Sequence, residues 1–272
     1  MDVYEEITRL RKAGRRGALA TIIQVQGSVP SYECSKILVR DDGSIVGTVG
    51  GGCVEAEVWS AAQEVMHEEK PRRLHFNLND RPDLNDGLVC GGSLDIFIEP
   101  VLATPTLYLF GGGHISLAIS KIAELAGFET VVSDDREAFA SKQRFPGAAE
   151  NHSGDWPEIF PRLRPNEFSY MVIATRGHKG DLACLRWALT TSARYIGMVG
   201  SRRKLIEFSK FLQKENGQAE PERIHSPVGL RIGAITPGEI AVSIVAEMIA
   251  VRRNTASDVP SLAYHLKKQS AP

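Results

Sequence analysis

The chain has 272 residues, 43% hydrophobic and 24% charged, with a net charge of −1, which describes one large or two ordinary globular domains. The near-neutral charge leaves no electrostatic footprint for nucleic acid or an anionic membrane, and no apolar run is long enough to span a bilayer. The first residues, MDVYEEITRLRKAGRRG, lack the apolar core of a signal peptide. A cytoplasmic protein is therefore expected, with Cys34, Cys53, Cys90 and Cys184 reduced; their spacing makes no zinc set.

In chain order, Met1–Ala13 should be a helix with Val3, Ile7 and Leu10 inward, closed by Gly14 and Gly17. Ala18–Val25 reads as a strand and Gly27-Ser28-Val29-Pro30 as a turn. Lys36–Arg40 and Ile45–Val49 form a hairpin about Asp41-Asp42-Gly43-Ser44. The hairpin runs into Gly50-Gly51-Gly52-Cys53-Val54-Glu55, and a helix covers Val54–His67. Arg72–Phe76 and Ser93–Glu99 are further strands, separated by a polar loop over Asn77–Gly87. This α+β region, residues 1–100, ends at the proline-flanked stretch Pro100–Pro105.

Residues 106–253 alternate strand and helix, as a parallel sheet requires. Leu107–Phe110 is an apolar strand, Gly111-Gly112-Gly113 a sharp turn, and Ile115–Ala126 an amphipathic helix stopped by Gly127. Glu129–Ser133 is the next strand, ending at Asp134 and Asp135. Strand, glycine turn, helix, strand, acid is the dinucleotide-binding unit. Asp134, 23 residues after Gly111, stands where an acid would meet a ribose hydroxyl, although Ser116 holds the third glycine position. Beyond it, Arg136–Phe145 reads as a helix, Ala148–His152 as a weak strand, and Phe168–Thr175 and Tyr195–Gly200 as strands. Gly180–Thr190, Ser201–Glu215 and Pro237–Arg253 read as helices, and residues 254–272 as a polar tail. The expected fold is α/β: an α+β domain followed by a Rossmann-like, doubly wound parallel sheet.

Ligands of such sheets sit beyond the carboxyl ends of the strands. Three polar clusters fall there: Gly111–His114, Thr175-Arg176-Gly177-His178 and Gly200-Ser201-Arg202-Arg203. Arginines suit a phosphate or carboxylate, and His114 and His178 could polarise a ligand or coordinate a metal. A second candidate site is Gly50–Glu55, where amides before a helix face an anion. Cys53 stands at that helix N-terminus, a setting that favours thiolate, a nucleophile or soft metal ligand. Cys90-Gly91-Gly92 repeats the pairing of cysteine with glycine. No Gly-x-Ser-x-Gly elbow, Walker loop or His-Glu-x-x-His helix is present, so a binding protein is favoured over a catalyst. An NAD(P)-dependent oxidoreductase is the alternative that Gly111–Asp134 suggests.

The stretches GSVP (27–30), GTVGGGCVE (47–55), CGGSLDIFIEP (90–100), LYLFGGGHIS (107–116), SDDREAFASKQRFP (133–146), ATRGHKGD (174–181), GMVGSRRK (197–204) and ITPGEIAVSIVAE (235–247), taken together and in this order, resemble the XdhC/CoxI family. Members are accessory proteins for maturation of xanthine dehydrogenase and related molybdenum hydroxylases. The resemblance implies an XdhC/CoxI domain, a C-terminal Rossmann domain and binding of the molybdenum cofactor (molybdopterin). It also implies presentation of that cofactor to a cysteine desulfurase, insertion into the apo-hydroxylase, and a homodimer. Gly50, Gly51, Gly52, Cys53 and Glu55 match a family hallmark, with Cys53 the candidate molybdenum contact. Cys90, Gly111, Gly112, Gly113, His114 and His178 match as well. Where the family often has Gly-Ser-Ser-Pro-Arg and then Gly-Ala, this chain has Ser31 for the arginine and Cys34-Ser35 for the pair. An anionic, oxygen-sensitive pterin phosphate calls for amide-rich cradles, arginines, a thiolate and an enclosing cleft between the domains.

Overall fold

Asp2 starts the first helix, its carboxylate accepting the Tyr4 N–H at 3.3 Å. In the computed structural model, which describes residues 2–78, 92–216 and 223–263, the chain divides into two units, Met1–Thr104 and Pro105–Pro272. Unit 1 contains α1 (Val3–Lys12), β1 (Gly17–Gly27), β2 (Lys36–Arg40), β3 (Ile45–Gly47), α2 (Gly52–Glu68), β4 (Arg72–Asn77) and β5 (Gly92–Val101). Its strands form an antiparallel sheet in the order β3-β2-β1-β5-β4. Alternation sends Ala18, Ala20, Ile22, Ile37, Val39, Ile96 and Ile98 to one face, where α2 covers them with Val54, Val58, Ala62 and Val65. Leu19, Leu38 and Val101 point to the other face and meet Leu10 of α1. On that side the buried carboxylate of Glu6 is held at 2.6 Å by both Arg9 and Arg40, and these guanidiniums, against the opposing effect of burial, bring its pKa down to about 2.

Two expectations in unit 1 need correction. Gly17 does not close α1 but begins β1, because a Cβ there would lie 2.9 Å from Val39 O and 3.4 Å from Leu10 Cδ1. The expected strand Ile45–Val49 stops at Gly47, whose φ of +85° turns the chain out of the ladder and whose missing Cβ leaves room for Lys36 O.

Unit 2 contains β6 (Thr106–Phe110), α3 (His114–Leu125), β7 (Glu129–Asp134), β8 (Glu150–Ser153), α4 (Trp156–Ile159) and β9 (Ser169–Ile173). It continues with α5 (His178–Leu189), β10 (Tyr195–Met198), α6 (Arg202–Asn216), β11 (Ile224–His225) and α7 (Pro237–Arg252). The strands are all parallel, in the order β11-β10-β9-β6-β7-β8. Strand order therefore reverses between β6 and β9, the doubly wound arrangement whose crevice binds ligands. Every residue of β9 is buried, as a strand covered on both faces must be. Tyr108, Phe110, Met171 and Ile173 join the core under α5 and α6, while Leu107, Leu109, Tyr170 and Val172 face α3 and α7. Helix α7 starts with a capping box between Thr236 and Glu239.

The expected helix Arg136–Phe145 is absent: Glu137–Phe139 forms a single 3-10 turn. Arg136 and Arg144 both lie over the Phe139 ring, 3.4 and 5.2 Å from its centroid. In a helix their backbones would be about 12 Å apart along the axis. The segment folds back instead, because its side chains clasp the glycine turn before α3. Short β11 and α4 carry too few residues to show a period. The loop Asn77–Gly87 lies largely outside the described residues, as do Cys90, Gly91 and residues 264–272 of the tail.

Candidate functional site

In unit 1 the topology gathers three motifs at one end of the sheet. Gly27 pairs with Gly92 in the β1–β5 ladder, and a Cβ at Gly92 would stand 2.5 Å from Gln26 O and 2.9 Å from Ser28 O. On the other side, a Cβ at Gly50 would lie 3.0 Å from Pro30 Cγ and 3.3 Å from Ser31 Cβ. The Gly27–Pro30 turn is thus flanked by Gly92 and by the turn before α2. Gly50, Gly51 and Gly52 all have positive φ, at 115°, 76° and 62°, a run that side chains disfavour. Nothing lies within 4 Å of a Cβ built on Gly51 or Gly52, so the outer side of the turn is open.

Of the amides expected to face an anion before this helix, two are used within the turn itself. Gly50 N–H donates to Thr48 Oγ1 at 3.1 Å, and Gly51 N–H to Glu55 Oε2 at 3.1 Å. Glu55 also accepts from Thr48 Oγ1 at 2.8 Å, so its carboxylate braces the turn rather than reaching for a ligand. The open cradle is the first turn of α2, Gly52–Val54, whose amides have no intrahelical acceptor. Cys53 is exposed there, and Cys34 is exposed on the β1–β2 connection at φ +68°. Among the described residues no group of three or more His, Cys, Asp or Glu side chains could hold a metal.

In unit 2 the three predicted clusters follow the adjacent strands β6, β9 and β10. Gly111, at φ +99°, leaves no room for a side chain because a Cβ would overlap Ala174 O and lie 2.9 Å from Thr175 Cα. Arg176 crosses to Asp135 at 3.0 Å. Asp181, buried in α5, accepts Thr175 N–H at 3.0 Å and Thr175 Oγ1–H at 2.7 Å, and its other oxygen holds Lys204. Lys204 also donates to Val199 O at 3.2 Å. This carboxylate–ammonium pair fastens the loops after β9 and β10 together. Nothing in the spacing of either motif announces that Asp181 faces Lys204. A cavity of about 500 Å³ opens here, lined by Asp135, Trp156 and residues 175–180. Arg176, His178, His114, Ser201 and Arg202 are exposed.

Asp134 does not wait for a ribose. Its Oδ2 accepts Gly112 N–H at 2.7 Å and Arg136 Nη2–H at 3.0 Å, and its Oδ1 accepts the Arg136 amide and Nε–H, each at 2.9 Å. Burial works to raise its pKa, but the Arg136 guanidinium and these amides outweigh it and hold the carboxyl below its usual range. Gly112 is closed over by Phe139, whose carbonyl a Cβ would overlap, and Gly112 O accepts Arg144 Nε–H at 2.8 Å. Gly113 is open, with nothing within 4 Å of a Cβ. The oxidoreductase alternative thereby loses the acid it relied on.

Residues 107–248 match the family described as the XdhC Rossmann domain, and residues 10–77 the XdhC and CoxI family. The uncharacterized protein YqeB of Escherichia coli is 34% identical over 257 residues, covering 93% of this chain and 47% of its own. This chain thus spans about half the length of that relative. The molybdenum cofactor insertion chaperone PaoD of Escherichia coli is 23% identical over 276 residues, covering 90% of this chain and 86% of its own. A solved structure described as a xanthine dehydrogenase from Bacillus halodurans is 26% identical, with a TM-score of 0.50 over 100% of this chain and 98% of that one.

Proposed function

The chain belongs to the XdhC and CoxI family, and on that premise we propose that it holds the molybdenum cofactor and delivers it to a xanthine dehydrogenase-type molybdenum hydroxylase. The observation that carries this reading is Cys53, an exposed thiol in the first turn of a 17-residue helix entered through an open glycine turn. The residues fit such a group: a thiolate is a soft donor suited to molybdenum, and the amides of Gly52–Val54 suit a phosphate. When bound, the cofactor supplies the metal centre at which the client enzyme works. Cys53 holds it, the α2 amides orient its anionic part, and Glu55 with Thr48 keeps the turn in shape.

PaoD is named as a molybdenum cofactor insertion chaperone, which supports the same role here. In this reading the chain works in the cytoplasm as a homodimer and presents the cofactor to a cysteine desulfurase before insertion. Transfer is the test. Cofactor-loaded chain incubated anaerobically with apo-hydroxylase should restore hydroxylase activity in proportion to the molybdenum lost from the chain. Activity that appears equally with free cofactor alone overturns the delivery role.

A further inference from the structure

Helix α7 is apolar on every side, the pattern of a helix covered all round. Between Glu239 and Arg252 its only charged residue is Glu247, which is buried. Ala241, Ile244, Val245 and Met248 pack into the core of unit 2. The opposite side carries Glu239, Val242, Ala246, Ile249 and Arg253, at steps of 3, 4, 3 and 4 residues that keep them in one stripe about four turns long. Val242 is 48% exposed, Glu239 and Arg253 are exposed, and Ala246 and Ile249 are half-buried. An apolar band closed by an acid at one end and a base at the other is a surface made to be covered.

The stripe is also its own complement. Ala246 is its midpoint, with Glu239 and Arg253 equally far on either side. A second copy of α7 laid antiparallel across it sets Glu239 against the second copy's Arg253 at both ends and Val242 against Ile249. Alanine then meets alanine where the two helices come closest, the self-matching that a two-fold contact demands. The Glu239 carboxylate can accept that guanidinium, because its bonds from the Ile235 and Thr236 amides, each 2.9 Å, both fall on Oε2. The two most exposed large apolar side chains among the described residues obey the same symmetry. Leu125, 90% exposed, ends α3, and Ile235, 84% exposed, precedes α7. Arg252 Nη1–H donates to Ala126 O at 3.1 Å and ties the C-terminal ends of α3 and α7 together. Leu125 and Ile235 therefore stand at opposite ends of this helix layer, and an antiparallel copy brings each toward the other.

We propose that two copies of this chain meet on the α3–α7 face of unit 2, α7 against α7 and antiparallel about Ala246, with the Glu239–Arg253 pairs setting the register. The inference rests on the homodimer of the preceding reading and adds its face and its symmetry.

Sedimentation velocity of the full chain, reduced and without cofactor, tests it. Wild type should run as a dimer of twice 29.8 kDa at about 10 µM. Ala246→Glu and, at the more exposed position, Val242→Glu should each weaken the dimer at least about tenfold. Glu239→Arg and Arg253→Glu should each weaken it too. An equimolar mixture of those two should restore it, because one copy then carries arginine and the other glutamate at both positions. Damage to the Thr236–Glu239 capping box could not produce that rescue. A dimer indifferent to both glutamate variants on the apolar stripe, or a mixture no tighter than either charge variant alone, overturns this face and leaves the homodimer standing. A wild-type chain still monomeric at about 100 µM overturns both. Molybdenum plays no part in these measurements, so failure here and failure of cofactor binding are read separately.

Discussion

Two Gly-Gly-Gly turns, each entering a helix, serve opposite ends in the two units. Before α2 all three glycines have positive φ, and the second and third face open space. That turn exists to carry a backbone path, and Thr48 and Glu55 hold it from beneath. Before α3 only Gly111 has positive φ; Gly111 and Gly112 are glycine because neighbouring carbonyls occupy the place of a side chain, and Gly113 alone is open. That turn is packed, clasped by Asp134, Arg144 and Phe139. The same three letters thus give an open cradle beside a thiol in one unit and a sealed junction between strands in the other.

The sharpest way to break this contrast is Gly111→Ala. It combines a strained φ with an overlap against Ala174 O, and should destabilise unit 2 by about 3–5 kcal/mol. Urea unfolding followed through Trp156 and Trp187, which lie in unit 2, checks it; a loss under about 1 kcal/mol would contradict the packed turn. Next comes Asp134→Asn, which leaves Arg136 and the Gly112 amide without their carboxylate and should cost about 2–3 kcal/mol at pH 7. Because the folded-state pKa of Asp134 is lowered, its contribution is present above the unfolded value of about 3.9 and fades as pH falls through the folded value. The variant should therefore lose less stability than the wild type over that acid range, as thermal melts against pH would show.

Gly52→Ala should cost about 1 kcal/mol, from its left-handed φ of 62° alone, since its side chain would meet nothing. A loss as large as that of Gly111→Ala would mean the first turn is packed too. Smallest is Cys53→Ala, at an exposed helix start, within about 0.5 kcal/mol of wild type.

Much of this was legible in the sequence. The apolar strand before Gly111, the helix with Ile119 and Ala123 inward, and the alternation after it carry the Rossmann fold in local periodicity. In unit 1 the stripe Val54, Val58, Ala61 and Val65 marks α2 by the same periodicity. What stayed hidden depends on contacts between distant residues. FASKQRFP looks helical by composition, yet Arg144 is drawn to Gly112 in a turn more than 20 residues upstream, while Arg136 binds Asp134, which itself accepts the Gly112 amide. Asp134 has the spacing of a ribose acid, and only its neighbours reveal that both oxygens are already used. Glu55 matched a motif as a ligand residue, and its hydrogen bonds make it a brace. Asp181 and Lys204 sit in two separate motifs whose pairing no spacing announces.

The most direct measurement is the molybdenum content of the chain purified anaerobically after co-expression with cofactor biosynthesis, wild type beside Cys53→Ala. Molybdenum and pterin should accompany the wild type and fall at least about tenfold in the variant, while both melt at the same temperature. Equal molybdenum in the two proteins, or none in either, would contradict Cys53 as the holding group.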